Sequence, residues 1–345
     1  MGSYGEFKLK ETKFKIINLN TREVAFSGDA TQQVPMGWKS SEESNYQYVF
    51  ELNFSELNTP GNYIIEHSEL GRSLPFKIEG NALRSVMKSL ALGVYHQRSN
   101  YKLEMPYTRF TQDEGHVNDG MVYNQQNQDE KKLIQGWFPH GVFYDTNLEG
   151  TYIDARGGHY DAGDYGKYSY NGALATWNLI TLIDAFPEKS IHDNLGIPES
   201  NNGRPDLIDE LLIEIQWLQN MQDPEDGGVF SVIKPISYYQ YDMPDASIKR
   251  IIFPKNTIET AAFAAAFARL ARSPLLKKYS PNLISKFKDQ ALLAWDFLEK
   301  NSKQRYPVGD HGEFDDYSKK HNSYGIPYGS LDDRAWAAIE LYAIT

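Results

Sequence analysis

Phe76-Lys77-Ile78-Glu79-Gly80-Asn81-Ala82-Leu83-Arg84-Ser85-Val86-Met87-Lys88-Ser89-Leu90-Ala91-Leu92-Gly93-Val94 contains the point at which the chain changes its period. Up to Gly80 apolar and charged residues alternate, as on a strand with one buried face. Beyond it Leu83, Val86, Met87, Leu90, Leu92 and Val94 recur at the spacing of a helix. Working back from Gly80, strands are predicted over 13–19, 23–26, 46–54, 63–66 and 74–78. Asn20-Thr21-Arg22 and Thr59-Pro60-Gly61-Asn62 supply turns, and the last two strands are expected to pair around Glu69-Leu70-Gly71-Arg72. Short strands in such quick succession predict a small β-sandwich. Working forward, helices are predicted over 166–185, 205–221, 256–272, 282–300 and 331–344, with long polar loops at 97–160 and 222–255. The expected fold class is multidomain, β followed by all-α, with domains at 1–79 and 80–345.

Composition narrows the function. Hydrophobic residues make up 41% and charged residues 23%, which places the chain among soluble globular proteins. Acidic residues outnumber basic ones 46 to 35, a net charge of −11, so a phosphate backbone is a poor partner and no nucleic acid is expected. The absence of cysteine excludes disulfides, thiolate metal sites and cysteine nucleophiles. No run approaches 18 apolar residues, so no membrane-spanning helix is expected. Met1-Gly2-Ser3-Tyr4-Gly5 carries no apolar stretch of the signal-peptide kind.

The segment richest in chemistry runs Asp154-Ala155-Arg156-Gly157-Gly158-His159-Tyr160-Asp161-Ala162-Gly163-Asp164-Tyr165-Gly166-Lys167-Tyr168. Asp161 and Asp164 stand three apart among small residues, in a loop where the backbone can approach a ligand. Two neighbouring carboxylates can hold one water and deprotonate it. The flanking aromatics offer flat faces to sugar rings. A calcium loop or a helix-capping aspartate would produce the same spacing.

This segment resembles the Asp-Ala-Gly-Asp signature of glycoside hydrolase family 9. Further stretches match that family in order: Tyr95-His96-Gln97-Arg98, 198–210 (Pro-Glu-Ser-Asn-Asn-Gly-Arg-Pro-Asp-Leu-Ile-Asp-Glu), Asp226-Gly227-Gly228-Val229-Phe230, the Ala-rich run from Asn256, and Ala335-Trp336-Ala337-Ala338. The resemblance implies an N-terminal immunoglobulin-like (Ig-like) β-sandwich and then an (α/α)6 barrel of an inverting β-1,4-glucanase. It implies that Asp164 is the general base and that Asp161 shares and orients the water. The same resemblance implies a β-glucan polysaccharide or oligosaccharide as partner, with secretion to the periplasm or outside the cell. Tyr160, Tyr165, Arg156, His159 and Trp137 are the candidate substrate-binding residues, with Phe138 and Tyr168 as further stacking candidates.

Two family features are missing from the residues that would carry them. The family's acid is a Glu in an Asn-Glu motif preceded by a His-x-Arg motif, and both follow the Ala-Trp-Ala-Ala helix. On this reading about half of the barrel is expected here, C-terminally truncated and without its acid. Glu340 is expected to be structural. A same-family exo-glucosaminidase and a non-catalytic carbohydrate-binding fragment are the alternatives. No cofactor is expected to be required. The family zinc site is expected to be lost, because the matching places hold Ser99 and Glu114-Gly115-His116. A structural calcium remains compatible with acidic pairs such as Asp315-Asp316 and Asp332-Asp333. The family's His after the glycine turn is replaced by Ser231. Trp177, Trp217, Trp295 and Trp336 are expected in the core, and the oligomeric state is left open.

Overall fold

The computed structural model describes residues 2–3, 9–33, 48–80, 84–137, 146–235, 249–301 and 331–345. Its chain divides into two compact units, 1–89 and 90–345. The division falls inside helix α1 (Arg84–His96), a few residues beyond the change of period at Gly80.

The first unit is built of β1 (Gly2–Ser3), β2 (Lys13–Asn18), β3 (Val24–Gln33), β4 (Tyr48–Leu52), β5 (Gly61–His67), β6 (Gly71–Arg72) and β7 (Phe76–Ile78). The strand order is β1-β4-β3-β2-β5-β6, with β7 also on β5. β3 changes partner along its length. Its first part pairs with β2, and from Ala30 to Gln33 it pairs with β4. A strand that changes ladder is the device by which one strand order folds over into the layers of a sandwich. The expected pairing before Gly80 is present, with Gly61 opposite Ile78 and Tyr63 opposite Phe76. Phe14, Ile16 and Tyr63 form the core, with Phe26, Leu52, Phe54 and Phe76 against them. The Tyr63 hydroxyl is satisfied by the Thr59 carbonyl at 2.9 Å.

The second unit is helical. After α1 come α2 (Gln128–Trp137), α3 (Ser169–Ala185), α4 (Pro187–Ser190), α5 (Asp206–Asn220), α6 (Thr257–Ala271), α7 (Pro274–Tyr279), α8 (Ile284–Lys300) and α9 (Leu331–Tyr342). Helix α6 is the centre, packed against α3, α8 and α9. Its alanines from Ala261 to Ala268 are fully buried, so neighbouring helices come close on every side. Phe263 and Phe267 stack at 3.8 Å, and Phe287 of α8 meets Phe267 edge-on. Asn256 caps α6 by accepting from the amides of Ile258 and Glu259. Trp217 lies in the core, while Trp177 and Trp336 meet edge to face at 5.6 Å. Glu340 accepts from Trp177 Nε1 at 2.7 Å and pairs with Arg272, a structural place as expected.

The stretches expected as loops hold more order than their sequence suggests. Helix α2 lies inside one of them. A small antiparallel sheet, β8 (Lys167–Tyr168), β10 (Val232–Pro235) and β11 (Arg250–Ile252), joins parts of the chain far apart in sequence. Beside it β9 (Val229–Phe230) pairs with β12 (Lys255–Asn256). The glycine turn before β9 has a steric cause. Gly227 has φ +84°, and a Cβ there would stand 2.2 Å from the Leu293 carbonyl oxygen. Apolar side chains stand exposed on α3 (Leu174, Leu182), at its C-cap (Phe186) and on α9 (Ile339, Tyr342). No helix among the described residues is long and apolar enough to cross a membrane.

Candidate active site

The loop that leads into α3 carries the two aspartates, and its rear edge is held like a strand. Arg98 and His159 form a β-bridge, Ser99 N donates to Gly158 O at 2.8 Å, and Tyr160 N donates to Gln97 O at 2.8 Å. Gly157 and Gly158 are both left-handed, with φ +83° and +72°. A Cβ on Gly158 would meet Trp217 Cγ at 2.8 Å, so the motif's paired glycines are required by the backbone and by the indole beneath.

Buried cations fasten the loop from below. Lys167 Nζ donates to the carbonyls of Ala155 (2.9 Å) and Gly157 (3.0 Å) and pairs with Asp119 at 3.0 Å. Arg250 of β11 donates through Nε to Asp119 Oδ1 and through Nη2 to the Tyr165 carbonyl, both at 2.8 Å. Burial pushes the Lys167 ammonium down, against the pull of Asp119. Beside them, His159 lies between Glu214 (Nδ1, 2.8 Å) and Glu210 (Nε2, 3.4 Å). Arg98 lies between Glu210 (2.8 Å) and Glu199 (2.9 Å). Burial works against a charged His159, but the two carboxylates outweigh it and raise its pKa to about 9. The imidazole is therefore a cation at neutral pH.

On this floor stand the carboxylates. A turn closes from Tyr165 N to Ala162 O at 3.0 Å, with Tyr165 left-handed at φ +54°. Asp161 is exposed, and its Oδ1 accepts from Asn171 Nδ2 of α3 at 2.7 Å. Asp164 is half-buried. Its Oδ1 accepts from Gly166 N at 3.1 Å, and its Oδ2 accepts from the Tyr168 hydroxyl at 3.2 Å and faces Lys234 Nζ at 3.3 Å. Burial alone would raise its pKa. The Gly166 amide, Lys234 and Tyr168 together hold it below the ordinary carboxylate value. Asp164 is thus an ionised, oriented proton acceptor open to solvent, with a second carboxylate on the same turn.

The candidate substrate-binding residues fall in different places. Tyr160 is buried, and its hydroxyl meets His116 Nδ1 at 2.8 Å, so it walls the loop instead of offering a face to a sugar. His159 is committed to Glu210 and Glu214 and serves the floor. Arg156 pairs with Asp154 at 2.8 Å on the exposed side of the loop and not with Asp161 or Asp164. Tyr165 is half-buried, edge-on to Tyr160 at 5.0 Å, and remains at the tip beside Asp164. The side chain of Trp137, at the end of α2, lies outside the described residues, as does Phe138. Ser231 is buried with its amide and carbonyl paired to Pro254 and Ser169, so it is a packing position. Sequence reasoning missed Lys234, Arg250, Asp119, Glu210 and Glu214. Only Glu210 and Glu214 left a signal, an i, i+4 acidic pair on one face of α5.

The residues in the zinc-matching places do not fit that metal. The Ser99 hydroxyl is bonded to Asn100, and His116 is bonded to Tyr160. Among the described residues no three His, Asp or Glu side chains converge as ligands. Of the acidic pairs weighed for calcium, Asp315-Asp316 lies outside the described residues. Asp332-Asp333 opens α9 beside a second acidic cluster. There the Tyr170 hydroxyl meets Asp333 Oδ1 at 3.3 Å, and Glu259 of α6 has a buried Oε2 without a partner. Burial, with Asp332 adding to it, raises Asp333 to about 6, and burial, with Asp333 adding to it, raises Glu259 to about 8.

Comparison with known proteins agrees with this architecture. The profile of Glycosyl hydrolase family 9 matches residues 84–345, and that of the cellulase N-terminal ig-like domain matches residues 6–72. The xyloglucan-specific endo-β-1,4-glucanase of Bacteroides ovatus is 27% identical over 97% of this chain and 54% of its own length. A cellulose 1,4-β-cellobiosidase of Acetivibrio thermocellus is 29% identical over 96% of this chain and 38% of its own. A metagenome-derived family 9 endoglucanase superposes with a TM-score of 0.71 at 28% identity, over 96% of this chain and 55% of that one. The chain therefore spans about half the length, or less, of the relatives it matches. With a family match over most of its residues and an Ig-like domain ahead of it, the chain belongs to glycosyl hydrolase family 9.

Proposed function

We propose that this chain carries the water-activating side of an inverting β-1,4-glucanase site. Asp164 takes a proton from a water that Asp161 helps to hold, the water attacks the anomeric carbon from the face opposite the leaving oxygen, and the C1–O bond breaks as that oxygen takes a proton from solvent water. Inversion needs the acid about 6.5–9.5 Å from the base, so that a water fits between them. Asp161 and Asp164, on one turn, both belong to the water side. We assign the acid to no residue of this chain. A positioned acid contributes about 10²–10⁴-fold, so turnover by these residues alone is expected to be slow.

The observation that carries the reading is the environment of Asp164, a half-buried carboxylate kept ionised by three donors and open to solvent. The names of the relatives point to β-1,4-glucans as the substrate class. The test is release of reducing ends from cellohexaose and from xyloglucan oligosaccharides by the whole chain, beside Asp164→Ala. Slow release that vanishes in Asp164→Ala and yields the α-anomer by proton NMR is the expected result. Tight binding of cellohexaose with no turnover would instead make this a carbohydrate-binding chain.

A further inference from the structure

Lys234 enters the site through sheet register, not through the loop motif. β10 pairs with β8 so that Val232 lies opposite Tyr168 and Ile233 opposite Lys167. The next residue of β10 therefore falls beside the chain that leads into β8, where Asp164 stands. Side chains alternate along a strand, so with Ile233 in the core Lys234 points the other way. Its stem is mostly buried, its ammonium lies 4.9 Å from the Tyr168 ring centre, and it reaches Asp164 Oδ2 at 3.3 Å. The Tyr168 hydroxyl uses the same oxygen.

The groups facing Asp164 among the described residues are few. β10 offers Lys234 and β8 offers Tyr168. Its own turn offers the Gly166 amide and Asp161, which is tied to Asn171 of α3. Arg250 of β11 is directed at Asp119 and at the Tyr165 carbonyl. Lys234 is therefore the cation placed to act on this carboxylate. An ammonium at hydrogen-bonding range favours the ionised carboxylate, and with Lys234 and Tyr168 both on Oδ2, Oδ1 keeps only the Gly166 amide and has a lone pair left for water.

We propose that Lys234 is a positioning residue for Asp164, which holds the carboxylate in place and sets the lowest pH at which the site can accept a proton from water. This rests on the reading of Asp164 as the base. The consequence is a site suited to acidic surroundings, at some expense in the base's proton affinity.

The experiment is a carbon-13 NMR titration of the aspartate carboxyls in the whole chain, with Asp164 assigned through Asp164→Asn. It is run on the unaltered chain, Lys234→Met and Lys234→Arg, beside pH profiles of kcat for cellohexaose cleavage. Lys234→Met should raise the Asp164 midpoint by about 1 pH unit or more, and the acid limb of kcat should move with it. Lys234→Arg should restore most of the shift. A merely structural lysine would leave the midpoint in place, so an unmoved midpoint in a folded Lys234→Met protein overturns the proposal. Full activity in Asp164→Ala would overturn the base assignment, whatever the titration shows, and Lys234 would then be the partner of an idle carboxylate.

Discussion

The floor of the Asp161–Asp164 loop and the helix starts of α6 and α9 are both buried and rich in acid, yet they hold their protons for opposite reasons. Under the loop every charge has a partner. His159 lies between Glu210 and Glu214, and Arg98 lies between Glu210 and Glu199. At the helix starts Glu259 and Asp333 share a Tyr170 neighbourhood with no cation among their described partners. Attraction raises the pKa of His159, and loss of water raises that of Glu259. A perturbed carboxyl or imidazole therefore does not by itself mark a catalytic group in this protein. Asp164, with solvent access and three donors, is shifted downward instead, as are the exposed and paired Asp29 and Asp154.

The largest effect that would separate the two regions is removal of a charge partner. Arg98→Met leaves the buried Glu210 with His159 alone, at 3.4 Å, and should cost about 3 kcal/mol by urea unfolding at pH 7. Glu259→Gln removes no charge at neutral pH on this account and should cost far less. If the two variants were equally unstable, the distinction between paired and unpaired acids would fail.

A smaller effect is the pH dependence of stability. Both His159 and Glu259 have folded pKa values above their ordinary ones, so their contribution is complete below the ordinary value and is lost as pH rises through the folded one. For Glu259 the loss runs from about pH 4.5 to about 8, and for His159 from about 6.5 to about 9. The melting temperature should fall steadily toward alkali. Glu259→Gln should flatten the lower part of that fall and leave the upper part, where His159 titrates. A melting temperature that rises from pH 6 to 9 would contradict both assignments. The smallest effect is at the exposed rim. Arg156→Ala loses only its surface pair with Asp154 and should leave the urea midpoint essentially unchanged.

What was legible in the sequence followed from local pattern. The five helices predicted after the loop coincide with α3, α5, α6, α8 and α9, because their apolar spacing is a local signal. Helix α2 escaped because it is largely polar, and α7 because it has only six residues, opening on Pro274. The Asp161–Asp164 turn was visible as spacing. Its setting was not, because Lys234 and Arg250 reach it through strands too short to show a period. Aromatic neighbours in sequence misled in the case of Tyr160, since adjacency to a carboxylate does not say which way a ring faces.

The clamp of Arg250 on the Tyr165 carbonyl spans 85 residues of chain. A growing polypeptide would present the whole aspartate turn long before the strand that secures it had been made. Closing so distant a contact comes at an entropic cost that local helices do not bear. The turn is accordingly expected to acquire amide protection late in refolding, after α3 and α5. Pulse-labelled hydrogen exchange that found Tyr165 protected as early as α5 would show that some nearer contact organises it first.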